Sequence, residues 1–131
     1  MILDGKGLVD VLRSQVKEVD CTEMNQRLQS DENLLFIDIR EAKETALGSA
    51  AGSELVPRGI LEMQLTSLPK YQALNKALTT PEQLPIYLIC RSGARSVLAA
   101  ASLQQMGYQN VHSVSGGFLA WQSLGFNVTS E

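Results

Sequence analysis

The chain has 131 residues, of which 44% are hydrophobic and 19% are charged. This composition is typical of a globular protein rather than of a disordered or fibrous one, and the length suits one domain over residues 1–131. The formal net charge of −3 supplies no positive field for a phosphate backbone, so we expect no nucleic-acid partner.

The apolar segments and the N-terminus bear on localisation. The longest apolar run, residues 84–90, is interrupted by Pro85 and is too short to cross a bilayer. The first residues place acids where a signal peptide has a basic region followed by an unbroken apolar one. The sequence therefore predicts no membrane partner and a cytoplasmic location.

The cysteines and the histidine give little support to a metal site. Cys21 and Cys90 lie far apart and without CxxC spacing, which is typical of free thiols rather than of zinc ligands or a disulfide scaffold. The single histidine, His112, cannot form a multi-histidine site, and we expect it to be structural or at the surface. We expect no metal and no other cofactor.

Hydrophobic periodicity and turn residues divide the chain into alternating helices and strands. Apolar residues at helical spacing predict an extra N-terminal helix over about residues 6–17. The first half continues with a strand over 18–21, a helix over 23–29 with Thr22 as N-cap, a strand over 34–39, a helix over 41–47, a loop over 48–53 and a strand over 54–57. The second half comprises a helical segment over 59–65, a helix ending near 78, a strand over 85–89, a helix over 96–106, a strand over 111–114 and a closing helix after Gly116 and Gly117. This alternation predicts a three-layer α/β domain, with helices on both faces of a mainly parallel central sheet.

Cys90 follows an apolar strand and begins a loop rich in small residues. Ligands of open α/β sheets bind at the carboxyl ends of the strands, which is where Cys90 is predicted to lie. Ser92, Gly93 and Ala94 allow the backbone N–H groups to turn inward and form an anion-binding concavity around the sulfur. The helix that begins near Ser96 directs its N-terminal dipole at the same place, which stabilises a negative charge.

Two arginines add positive charge to this loop. Arg91 and Arg95 favour the reactive thiolate of Cys90 over the thiol. A planar guanidinium can bind two oxygens of a sulfonate or sulfate-like group, and we assign this anion-binding role to Arg95. The alternative is that Cys90 is a small buried hydrophobic residue, and the flanking arginines weigh against it. Cys21 has only apolar or acidic neighbours, so we expect an inert thiol in the core or at its boundary.

Three segments together resemble the rhodanese homology family over about residues 18–128. The first is residues 36–44, in which Asp38, Arg40 and Glu44 match the pattern Asp-x-Arg-x-x-x-Glu. The second is the loop from Cys90 to Ser96, and the third is residues 115–121, which match Gly-Gly-x-x-x-Trp. The resemblance implies the rhodanese-like fold, with a mainly parallel sheet flanked by helices.

The resemblance also implies a sulfurtransferase. In such an enzyme Cys90 accepts the outer sulfur of thiosulfate or of a persulfide donor, becomes a persulfide, and passes the sulfur to a thiophilic acceptor in a ping-pong scheme. The loop N–H groups stabilise the negative charge in the manner of an oxyanion hole. The implied partners are a small anionic donor such as thiosulfate and, as a further donor or acceptor, a protein persulfide.

Two alternatives use the same fold. Cell-cycle phosphatases and arsenate reductases resemble this family, but the phosphatase loop is one residue longer than the loop here, in which four residues separate Cys90 from Arg95. The shorter loop favours sulfur transfer over phosphate hydrolysis. The other alternative is a non-catalytic redox or partner-binding module, and the intact Cys90 and Arg95 argue against it.

Several further residues have a structural and a functional interpretation. Asp38 and Arg40 are expected to form an ion pair that braces neighbouring loops, with tuning of the active site as the alternative. Arg58 is either at the rim of the pocket or, more commonly for such a residue, a surface charge. Residues 48–53 stand where the family usually has Gly-His-Ile-Pro-Gly-Ala, so we expect a less rigid loop and a shifted substrate preference. Phe118 and Trp121 are expected to lie in the core.

Overall fold

A five-stranded parallel sheet organises the chain in the computed structural model, which describes residues 1–31 and 33–130. Its strands are β1 Lys17–Asp20, β2 Leu35–Asp38, β4 Glu54–Leu55, β5 Ile86–Ile89 and β6 Val111–Ser115. They lie in the order β1-β6-β5-β2-β4, and every neighbouring pair is parallel. The two remaining strands found in the described residues, β3 Ser49–Ala50 and β7 Val128–Thr129, form a separate antiparallel pair.

Helices cover both faces of the sheet. They are α1 Gly5–Arg13, α2 Cys21–Ser30, α3 Ala42–Thr45, α4 Leu61–Gln64, α5 Pro69–Ala77, α6 Ala94–Gln105 and α7 Gly117–Ser123, with short 3₁₀ turns at Arg58–Ile60, Leu65–Ser67 and Pro81–Gln83. Within the described ranges, no helix combines the length and the apolar character that crossing a bilayer requires.

The central strands are buried on both faces because alternate side chains enter two separate cores. From β2, Leu35 and Ile37 join the core beneath α1, α5 and α6, whereas Phe36 joins the core beneath α2 and α7. Trp121 of α7 is 1% exposed and packs against Phe36. The predicted three-layer α/β fold with a parallel central sheet is therefore confirmed.

Two predicted boundaries were wrong for local reasons. The second helix begins at Cys21 and is capped by Asp20, whose side chain accepts the Glu23 N–H at 2.8 Å, so Thr22 is not the N-cap. The first helix ends at Arg13, well before residue 17, and Lys17 already belongs to β1. In both cases the boundary is set by strand β1, which follows α1 and directly precedes α2 in the chain.

The segment predicted as a loop over residues 48–53 contains strand β3. Its partner β7 comes from the C-terminal part of the chain, with Ala50 paired to Val128. Sequence periodicity cannot identify a strand of two residues, because its pairing depends on a distant segment.

Candidate active site

Cys90 lies directly after β5, at the carboxyl edge of the sheet and between the neighbouring strands β6 and β2. The loop turns sharply at Gly93, whose φ of +99° is in the left-handed region that favours glycine. This turn starts α6 at Ala94, two residues before the predicted start at Ser96. The sulfur and the N-terminus of α6 are thereby brought together.

The Cys90 sulfur accepts backbone hydrogen bonds from the loop. The N–H of Gly93 lies 3.1 Å from Sγ and the N–H of Ser96 lies 3.4 Å from it. Gly93, the N-cap residue, has no side chain to satisfy the free N–H groups of the first helical turn, and Sγ takes one of them. Cys90 is 1% exposed, but polar N–H groups rather than hydrocarbon face its sulfur on this side.

A hydroxyl pair completes the surroundings of the sulfur. Ser96 Oγ lies 3.4 Å from Cys90 Sγ and 2.7 Å from Ser113 Oγ. Both serines are fully buried. Sequence reasoning identified Ser96 as a loop residue but missed Ser113, because nothing near residue 113 in the sequence signals a neighbour of the sulfur.

The N-terminus of α7 holds the loop from behind. The Phe118 N–H donates to the Cys90 carbonyl at 2.8 Å, and the Leu119 N–H donates to the Arg91 carbonyl at 3.1 Å. Gly117 makes this approach possible: its φ is +59°, and a Cβ there would lie 2.6 Å from the Cys90 carbonyl oxygen and 2.5 Å from that of Arg91. The Gly-Gly-x-x-x-Trp segment thus positions the loop as well as anchoring a helix.

Arg95 is bound by Glu44 of α3. Its Nη1 and Nη2 donate to the two Glu44 carboxylate oxygens at 2.8 Å and 2.9 Å. The Arg95 hydrogen bonds are the main reason why the pKa of Glu44 is lowered to about 2, and the same pairing raises the pKa of Arg95. Glu44 appeared in the sequence only as a motif position. The structure shows that it fixes the guanidinium assigned to anion binding.

The buried Asp38–Arg40 pair joins three parts of the structure. Arg40 Nη2 donates to Asp38 Oδ2 at 2.9 Å and to the Gly48 carbonyl at 2.8 Å, and its guanidinium lies 4.0 Å from the centre of the Phe118 ring. The pair links the end of β2 to the segment before β3 and to α7. This geometry is that of a brace.

The remaining predicted residues separate into two groups. Arg91, Ser92 and Ala94 are exposed on the outer surface of the loop. Arg58 instead donates to Glu62 at 2.8 Å and 3.0 Å, and Glu62 also accepts the Ser102 hydroxyl at 2.6 Å. These contacts hold Arg58 against α4 and α6.

A cleft of about 220 Å³ opens beside the loop. It combines cationic, anionic, apolar and amide side chains, namely Arg40, Glu44, Leu47, Arg91, Phe118, Leu119 and Gln122. Phe118 and Leu119, which line this cleft, donate backbone hydrogen bonds to the Cys90 and Arg91 carbonyls, whereas the Cys90 and Arg95 side chains are not part of its lining.

Cys21, the other cysteine of the sequence, lies in the core. Cys21 is buried and donates to the Gly117 carbonyl at 3.3 Å, and burial, with a smaller effect of Asp20, raises the pKa of its thiol to about 11. It is therefore protonated at neutral pH. Over residues 1–31 and 33–130, no group of three histidine, cysteine or acidic side chains is arranged to hold a metal ion.

Comparisons with known proteins agree with this architecture. The chain is 31% identical over 115 residues to a sulfurtransferase of Allochromatium vinosum, which covers 88% of this chain and 96% of that protein. It is 29% identical over 108 residues to a putative sulfurtransferase of Bacillus subtilis, covering 82% and 92% of the two chains. Among solved structures, a protein of unknown function and possible tyrosine phosphatase from Rhodopseudomonas palustris aligns with a TM-score of 0.80 and 25% identity over 98% of this chain and 96% of that one.

The family follows from the fold and the sequence together. A cysteine loop between a central parallel strand and a helix is the arrangement that the sequence predicted, and the structure adds the Gly-Gly turn that closes the loop from behind. A sequence model of the rhodanese-like domain matches residues 20–124, a range that includes β2, the Cys90 loop and α7. Since that match spans most of the chain, this protein belongs to the rhodanese-like domain family.

Proposed function

We propose that this protein is a sulfurtransferase that carries sulfane sulfur on Cys90 as a persulfide. The observation that carries the proposal is the pair of N–H groups, from Gly93 and Ser96, that point at Sγ at 3.1 Å and 3.4 Å. N–H groups fixed in this way stabilise negative charge without having to reorganise. The relatives named sulfurtransferases support the same class of enzyme.

The proposed reaction has two half-reactions. The Cys90 thiolate attacks the outer sulfur of thiosulfate, the sulfur–sulfur bond of the donor breaks, and sulfite leaves with the electron pair. A nucleophilic acceptor, such as cyanide in the assay, then attacks the outer sulfur of the persulfide and regenerates the thiolate. In the same scheme the donor is either thiosulfate or a protein persulfide, and the acceptor is either cyanide or a protein thiol. The role of Cys90 is the same in each case.

Arg95 and Arg91 are proposed to bind the anionic part of the donor. Glu44 occupies the Nη1 and Nη2 edge of Arg95, which leaves the Nε side of the guanidinium to face an anion. Arg91 is exposed on the loop and lines the adjacent cleft. Cys90 Sγ is buried, whereas the Arg91 and Arg95 side chains reach solvent. We therefore infer that the donor first meets these arginines and approaches the sulfur from their side of the loop.

Phosphate-ester hydrolysis is the second candidate, because the Rhodopseudomonas palustris structure is that of a possible tyrosine phosphatase. The loop of this chain places four residues between Cys90 and Arg95, one fewer than in the phosphatases of this fold. The shorter loop favours a site for one sulfur atom over one that encloses a phosphoryl group. A chromogenic phosphate ester, assayed beside thiosulfate, separates the two activities.

Intact-protein mass spectrometry after thiosulfate treatment tests the proposal. We expect the intact mass to increase by about 32 Da, one sulfur atom, and the variants below assign this gain to Cys90. Cys90→Ser should lose both this gain and thiocyanate formation from cyanide. The matched control is Cys21→Ser, which removes the other thiol and should retain both. Turnover that survives Cys90→Ser would reject the mechanism.

A further inference from the structure

A second hydroxyl lies behind the one that contacts the sulfur. Ser113 is on β6, and its neighbour across the sheet is Leu88 of β5, the strand that leads to Cys90. Its Oγ lies 2.7 Å from Ser96 Oγ, which in turn lies 3.4 Å from Cys90 Sγ. Ser113 Oγ, Ser96 Oγ and Cys90 Sγ therefore form a row of three hydrogen-bonded atoms, and the sheet register fixes the position of Ser113 in it.

Ser113 is unusual for its position. Alternate residues of a strand share one face, and Val111, two residues earlier, belongs to the apolar core beneath α6. Ser113 is fully buried on that face. Within the described part of the chain, Ser96 is the one hydrogen-bond partner of its hydroxyl. A buried hydroxyl among apolar side chains is unfavourable unless it is hydrogen-bonded, so its contact with Ser96 accounts for its presence there.

When the sulfur is charged, the hydrogen bonds that connect Ser113, Ser96 and Cys90 Sγ all donate towards the sulfur. Each serine hydroxyl donates one proton and can accept others. With an anionic sulfur, Ser113 donates to Ser96 and Ser96 donates to Sγ, so both protons have acceptors. If the sulfur is protonated and donates to Ser96, the Ser96 proton turns to Ser113, and the Ser113 proton has no acceptor among the described residues.

We propose that Ser113 is a positioning residue for sulfur transfer: its hydroxyl directs the Ser96 proton at Cys90 Sγ and stabilises the charge on that atom. The inference rests on the proposed function of Cys90. Negative charge develops on Sγ when the acceptor attacks the outer sulfur, the bond between the two sulfurs breaks, and the thiolate leaves with the electron pair. Ser113 therefore acts mainly on delivery of the sulfur rather than on its uptake.

A single-turnover assay tests this role. Wild type and variants are loaded with thiosulfate, separated from it, and mixed with cyanide while thiocyanate and the persulfide mass are followed. Ser113→Ala should slow delivery roughly 3- to 10-fold, the range expected for a neutral hydrogen bond that acts on the developing charge through Ser96. Ser113→Thr keeps the hydroxyl and should restore delivery towards the wild-type rate.

The effect must pass through Ser96. In a Ser96→Ala background, the further change Ser113→Ala should slow delivery no more than Ser96→Ala alone. The matched control is Ser102→Ala, because Ser102 is on the same helix and donates to Glu62 rather than towards the sulfur. It should deliver sulfur at the wild-type rate.

Three results would overturn the inference. Delivery by Ser113→Ala at the wild-type rate, or a full further slowing in the Ser96→Ala background, would show that Ser113 does not act through Ser96. In either case a wild-type protein that takes up and delivers sulfur leaves the proposed function intact. A wild-type protein that takes up no sulfur overturns the proposed function and the role of Ser113 with it.

Discussion

Replacing Gly117 with alanine should damage both the stability of the protein and the geometry of its cysteine loop. Gly117 has a φ of +59°, and a Cβ added there would lie 2.6 Å from the Cys90 carbonyl oxygen and 2.5 Å from that of Arg91. The atoms in its way belong to backbone, which cannot rotate aside as a flexible side chain can. Either α7 or the loop has to move.

The size of the effect has two parts. A left-handed φ costs a residue with a Cβ roughly 1–2 kcal/mol relative to glycine. Moving the new Cβ from 2.6 Å to an ordinary contact of 3.4 Å needs a separation of about 0.8 Å. The same displacement would lengthen the hydrogen bond from the Phe118 N–H to the Cys90 carbonyl, now 2.8 Å, beyond hydrogen-bond distance. It would break the bond from the Leu119 N–H to the Arg91 carbonyl in the same way. Two lost hydrogen bonds of ~1 kcal/mol each bring the expected destabilisation of Gly117→Ala to about 3–4 kcal/mol.

Activity should fall as well, because the displaced loop carries the N–H groups that face the sulfur. A misplacement near 1 Å can reduce a rate ~100-fold, so we expect at least roughly a tenfold loss in kcat/KM for the folded protein. The measurements are chemical denaturation and thiocyanate formation under conditions in which the variant is folded.

Gly52→Ala is the matched control. Gly52 also has a left-handed φ, +88°, but an added Cβ would meet nothing within 4 Å. It should lose only the conformational part, roughly 1–2 kcal/mol, and retain activity. A Gly117→Ala protein that is as stable and as active as Gly52→Ala would refute the argument that α7 holds the loop through this contact.

Three further changes test charged and titratable groups, two of them beside the site and one, His112, elsewhere in the sheet. The pKa of Glu44 is lowered to about 2 by Arg95, so the stability that this pair contributes is present above the ordinary glutamate pKa of 4.5 and is lost as the pH falls towards 2. Glu44→Gln should remove this part of the pH dependence in urea titrations between these values. Asp38→Asn leaves the Arg40 guanidinium buried without a carboxylate and should cost ~3–5 kcal/mol in the free energy of unfolding. Burial lowers the pKa of His112 from its ordinary 6.5, which makes wild-type stability fall as the pH drops below that value; His112→Phe should remove this fall, and unchanged pH profiles would contradict the assignment.

Much of the fold could be predicted because its signals are local. The apolar run that contains β2 and the strand before Cys90 are buried on both faces, and such strands read as continuous hydrophobic segments. The start of α2 was predicted wrongly because Asp20, rather than Thr22, caps the helix although it also ends β1. Strand β3 was not predicted because it forms only by pairing with the distant strand β7.

The candidate site divides in the same way. The cysteine, the small residues after it and the helix that follows are contiguous, so their chemistry is visible in the sequence as a loop that favours a charged sulfur. The hydrogen bonds that complete the site join distant segments: Glu44 and Arg95 are separated by 51 positions, and Ser96 and Ser113 by 17.

The sequence by itself determined the α/β alternation and the cysteine loop, because apolar periodicity and a glycine turn act over a few neighbouring residues. Only the tertiary structure decided that Glu44 binds Arg95, that Ser113 reaches the sulfur through Ser96, and that Gly117 closes against the loop. The physical reason is that a parallel sheet gathers the carboxyl ends of its strands at one edge, where residues far apart in the chain become hydrogen-bond partners.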